Sequence, residues 1–120
     1  MAIKINLEST KIPVEIDDLK FEIDVTDKKY EGFIQKFNRF LGEIERLDEE
    51  NTEDVNKIKT LVEEIYEELL GTNSYKLIYA KMPNIAFVSS VLINVVTQLI
   101  KEMEARMTPT QTKLQLVSNK

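Results

Sequence analysis

The chain contains no cysteine and no histidine. The first absence excludes disulfides and thiolate nucleophiles, the second removes imidazole bases, and together they remove the usual ligands of zinc and haem. Carboxylates, lysines and tyrosines are the only side chains left for catalysis. No glycine-rich phosphate loop, GxSxG elbow or dinucleotide fingerprint occurs either, so the expectation is a protein that is not an enzyme and takes no cofactor or metal. Long apolar runs are also scarce. The longest, Ile85 to Ile100, falls short of the roughly 20 residues of a membrane span and is interrupted by Ser89, Ser90, Asn94, Thr97 and Gln98, so no membrane crossing is expected. The opening MAIKINLEST has no continuous apolar core of the kind a signal peptide needs and is expected to be mature protein. Lack of cysteine suits the cytosol.

Charge of one sign is unevenly placed. Residues 1–71 hold ten of the 16 basic residues but nineteen of the 21 acidic ones, so the body is acidic and the remainder weakly basic. No Lys/Arg cluster offers phosphate contacts, which argues against nucleic acid as a partner. With 42% hydrophobic and 31% charged residues in 120, the composition is that of one globular domain with one core.

The most apolar stretch, Pro83 to Met107, is the one around which the chain is expected to be organised. Helical spacing puts Ile85, Val88, Leu92, Val96, Leu99 and Met103 on one face, flanked by Phe87, Val91, Val95 and Ile100. Only Ser90, Asn94, Thr97 and Lys101 form a polar strip, so most sides of this helix need a cover, from this chain or from another molecule. Proline at 83 is expected to open it as a first-turn residue.

Ahead of it, three segments alternate polar and apolar residues: AIKINL, KIPVEI and LKFEIDV. Breaks at Glu8-Ser9-Thr10 and Asp17-Asp18 suit hairpins, which predicts an antiparallel meander of two or three strands, with Pro13 favouring an edge or a bulge. Thr26 and Asp27 then open an amphipathic helix through Tyr30, Phe33, Ile34, Phe37, Phe40, Leu41, Ile44 and Leu47, with Gly32 and Gly42 inside it as tolerated glycines or points of close approach. Thr52, as N-cap, opens a second helix, with Val55, Ile58, Leu61, Val62, Ile65, Tyr66, Leu69 and Leu70 as its apolar positions and Gly71 as its stop, packed antiparallel on the first. A short third helix capped by Asn73 or Ser74 carries Tyr75, Leu77, Ile78 and Tyr79. The fold class is therefore α+β: a small N-terminal meander, then three or four helices ending in a long apolar one. Residues 1–107 form a single domain, and 108–120 are expected to be a flexible tail in which KLQLV is strand-like or partner-binding.

The acidic run LDEENTED lacks the spacing and glycine of a calcium loop and reads as a solvated turn. Glu63, Glu64, Glu67 and Glu68 form i,i+4 pairs but have no histidine partners, and read as an outer acidic face. The aromatic row Tyr30, Phe33, Phe37 and Phe40 reads as core. Tyr75 and Tyr79 either pack or face a partner, and with Phe87, Val91 and Val95 they are the candidate partner-binding residues.

The layout of a short meander ending in LKFEIDVTDKKYEGFIQKF, an acidic helical hairpin, a final apolar helix and a polar tail resembles the small tail assembly chaperones of long-tailed phages infecting Gram-positive bacteria. That resemblance implies a protein of the infected host cytoplasm, without enzymatic activity. It would bind the tape-measure protein, keep that protein's hydrophobic helices soluble and help recruit tail-tube subunits. In that family a longer form often arises by translational frameshifting near the end of the short one, in which the tail from Thr108 would be a linker. No functional residue carries over, because the resemblance lies in layout and in the FEIDVTD-to-helix junction. The alternative of another class is a homo-oligomeric structural protein, such as a virion connector, with the apolar helix as subunit interface.

Overall fold

A computed structural model describes residues 2–5, 7 and 9–106. The expected tail, including KLQLV, lies outside the described residues. The order of elements is β1 (Lys11–Ile16), β2 (Leu19–Asp24), α1 (Asp27–Glu45), α2 (Thr52–Leu70), α3 (Ser74–Lys81) and α4 (Ile85–Arg106). The fold is α+β, a two-stranded antiparallel sheet followed by four helices of which the last is long and apolar.

Alternation in KIPVEI and LKFEID puts Ile12, Val14 and Ile16 opposite Ile23, Phe21 and Leu19 on one sheet face. A two-residue turn at Asp17-Asp18 fixes that register, with Asp17 at a φ of 52°, a left-handed conformation that aspartate tolerates. Ile12 and Ile23, at the base of the hairpin, are buried, whereas the four apolar residues nearer its tip are half-buried. Of the two or three strands expected, two form among the described residues. Residues 2–5 and 7 belong to no strand; the ladder extends past β1 only through the Val25 N–H donating to the Thr10 carbonyl, and Ser9 Oγ takes the Lys11 N–H.

The helical hairpin forms as the periodicity predicts. Tyr30, Phe33, Phe37 and Phe40 are buried on α1, with Tyr30 and Phe33 edge-to-face at 5.3 Å. The acidic run between the helices is used locally. Asp48 Oδ1 accepts from the Glu50 N–H at 3.0 Å, and Asn51, not Thr52, caps α2, its Oδ1 accepting from the N–H groups of Glu53 and Asp54. Asparagine is at least as good a cap as threonine, which here becomes the first helical residue. Two other caps also differ from expectation: the side chains of Thr26 and Asn73 make no capping hydrogen bond. Asn84, not Pro83, caps α4 by accepting from the Phe87 N–H at 3.1 Å, so Pro83 stands outside the helix.

α2, rather than α4, is the central element. It packs on α1, α3, α4 and β2 and buries Ile58, Leu61, Val62, Ile65, Tyr66, Leu69 and Leu70. α4 buries fewer large side chains, Val88, Leu92, Val96 and Leu99, although its length and composition would also suit a membrane span.

The two glycines of α1 have different surroundings. A Cβ at Gly32 would press on the Glu68 carboxylate, which Lys36 holds at 2.7 Å; a Cβ at Gly42 would meet nothing within 4 Å. Gly42→Ala is therefore expected to raise stability by about 0.5–1 kcal/mol, the helical advantage of alanine over glycine, read as a higher thermal midpoint. Gly32→Ala should gain less, since Glu68 must move.

Candidate partner-binding site

The sheet hairpin lies lengthwise beside α4 and is tied at both ends. At its open end the Arg106 guanidinium donates to the Ser9 carbonyl at 2.9 Å while its Nε reaches Glu102 at 3.1 Å. At its tip Asp18 pairs with Lys81, the last residue of α3, at 2.6 Å. The hydrogen bond from Lys81 holds the Asp18 carboxyl below its usual range, and the same bond raises Lys81. Both side chains are in water, so the pair sets position more than it stabilises.

Between these ties β1 and α4 leave a groove of about 580 Å³. One wall is Ile12, Val14 and Ile16 with the backbone of β1, and the other is Val91, Val95 and Leu99. Polar groups of Glu15, Asn94, Gln98, Glu102 and Arg106 rim it. Its lining is polar and apolar in similar measure, which suits an amphipathic segment of another molecule. Of the α4 residues expected to meet a partner, Val91 and Val95 are half-buried on this flank. Phe87, one turn earlier, continues it and is 57% exposed.

The two tyrosines lie elsewhere. Tyr75 and Tyr79 stack at 5.5 Å with their rings 20° apart, Tyr75 also approaches Tyr66 at 6.1 Å, and neither lines the groove. Both are half-buried, so they pack and still present an edge to solvent. Tyr66 anchors this ladder, its hydroxyl donating to the Val88 carbonyl at 2.7 Å while its own carbonyl accepts from the Ser74 hydroxyl at 2.9 Å. These bonds tie α2 to both α3 and α4.

Burial drives the Tyr66 phenol above its usual value of 10.0 and raises Tyr75 in the same direction. Unfolded tyrosines lose their protons first as pH rises through 10, so above that pH the folded state binds more protons and stability falls. The expected loss is absent below pH 10 and grows, for Tyr66, by up to about 1.4 kcal/mol per pH unit until its folded pKa is passed. Denaturant titrations at pH 8 and pH 11 measure it. Tyr66→Phe should remove that share of the slope and cost about 1 kcal/mol at pH 8, the hydrogen bond to Val88.

Sequence reasoning missed two things at this surface. The β1 wall went unnoticed because KIPVEI read as a middle strand, although Pro13 was the signal of an open edge. Leu77 on α3 and Ile93 on α4 are exposed although both belong to apolar periodicities, and Ile3, Ile5 and Leu7 are exposed outright. The acidic face carries Glu63, Glu64, Glu67 and Glu68 around a shallow depression shared with Lys36, whose pKa is raised chiefly by its hydrogen bond to Glu68. Among the described residues no three acidic side chains are grouped to hold a metal ion. Comparisons with protein-family models, curated proteins and solved structures found no match to this chain.

Proposed function

We propose that this protein is an assembly chaperone that holds apolar helical segments of a larger partner in solution. The observation that carries the reading is the flank of α4 through Phe87, Val91 and Val95, which the chain's own fold leaves partly uncovered beside an apolar-walled groove. An acidic body around an apolar surface suits this use, because net charge keeps a protein with accessible apolar area from associating indiscriminately. The resemblance to small phage tail assembly chaperones gives the partner its identity: the tape-measure protein, with tail-tube subunits recruited afterwards, in the cytoplasm of the infected Gram-positive host.

The test is co-expression with a tape-measure protein of a long-tailed phage, the proposed client. The chaperone reading expects that protein to be soluble and co-purified only when this chain is present, and expects this chain to be absent from finished particles. A partner that aggregates equally with and without it, or this chain found as a stoichiometric component of particles, would overturn the reading.

A further inference from the structure

Ile3, Ile5 and Leu7 recur at the period of a strand, with the polar Lys4 between the first two, yet they are 91%, 77% and 91% exposed. Three large aliphatic side chains alternating in this way are one face of a strand without its sheet. The chain also presents the complementary half. In the hairpin register, Thr10, Ile12, Val14 and Ile16 exchange hydrogen bonds with β2, so the backbone of Lys11, Pro13 and Glu15 points to the open edge. Pro13 has no N–H, and the N–H of Lys11 is taken by Ser9 Oγ at 3.0 Å. That edge therefore accepts more than it donates, which suits an added strand that supplies N–H groups. Ile3, Ile5 and Leu7 also match Ile12, Val14 and Ile16 in number and spacing, about 13 Å from first to last.

The segment is not paired with its own β1: residues 2–5 and 7 belong to no strand and the three aliphatic side chains stay exposed, while the joint is held elsewhere, Ser9 accepting from Arg106 and Thr10 from the Val25 N–H at 2.8 Å. We infer that the segment carrying Ile3, Ile5 and Leu7 docks along the β1 edge of a second copy, and that the reciprocal contact closes a two-fold dimer. Charge agrees with this occupant at one point, since a docked segment would bring Lys4 toward Glu15, the rim carboxylate that Arg106 does not pair with. Val91 and Val95 lie in the same groove, so a client would have to displace the segment. The dimer itself concerns the protein alone and does not depend on the chaperone reading.

The absence of native cysteine makes the test clean. Ile5 and Val14 are the middle residues of the two triplets, so they meet whether the added strand runs parallel or antiparallel. Full-length Ile5→Cys chains mixed with Val14→Cys chains should form a disulfide-linked dimer on mild oxidation, while each variant alone links much less. Light scattering should show a wild-type dimer, and Ile3→Ser/Ile5→Ser/Leu7→Ser should weaken it by about 100-fold while matching the wild-type thermal midpoint at concentrations where both are monomeric. The inference is overturned by a wild type monomeric at every concentration. It is also overturned by Ile5→Cys linking to itself as readily as to Val14→Cys, or by an Ile5→Cys/Val14→Cys chain that closes only within one molecule.

Discussion

Val96→Asp is expected to leave no stable fold at 25 °C. Val96 is 1% exposed and sits on the buried face of α4 with Leu92 and Leu99. Aspartate there loses the burial of an aliphatic side chain, about 1.5–3 kcal/mol, and leaves a carboxyl group with no partner, which costs several more whether it ionises or is forced to stay protonated. A domain of this size has roughly 6–18 kcal/mol in total, so the change removes a large part of it and can exhaust it. Val96→Ala is the control, expected to cost about 1–3 kcal/mol and to stay folded. Circular dichroism and amide dispersion read both. A Val96→Asp protein melting within a few degrees of wild type would mean that α4 is not part of the core.

Val91→Asp, on the flank of the same helix, is expected to do the reverse. Val91 is half-buried on the groove, and an aspartate side chain there reaches water by rotating outward, so the fold should lose about 1 kcal/mol at most. A client packed over that flank would cover the charge without a partner for it, which should weaken capture by about 100-fold. The thermal midpoint should fall by no more than several degrees. Titration of the isolated client helix and a thermal melt on the same sample separate the two effects. A folded Val91→Asp protein that captures its client at wild-type affinity would remove this flank from the proposed function. Val96 and Val91 are five residues apart, and the contrast between them tests which side of α4 serves the core.

The helices were legible in the sequence because their periodicity was strong and their ends carried ordinary signals. The aromatic row from Tyr30 to Phe40 could only be one face of a helix, and Gly71, at a φ of 102°, stops α2 where a side chain would strain the backbone. The order of importance was not legible. Pro83 to Met107 has the highest density of apolar residues, but density does not say how many neighbours a helix has. α2, with charged residues between its apolar positions, proved to be the one with elements on several sides. Strand pairing was half legible: AIKINL has the pattern of a strand, but a pattern names a face and not the edge that will cover it. The α4 flank of the candidate site could be named from the sequence. Its opposing wall could not, because the meeting of β1 with a helix some eighty residues later is a long-range contact that no local pattern announces.

That link between Arg106 and Ser9 also orders events during synthesis. The residues joined lie 97 positions apart, and the sheet hairpin, made first, finds its neighbour α4 only when the last helix leaves the ribosome. α1 and α2, by contrast, meet through near-neighbour contacts and can associate early. The nascent hairpin is therefore covered in two stages, by α2 packing on β2 and only later by α4. Its brevity and its acidic turn each lower the chance of indiscriminate pairing before α4 arrives.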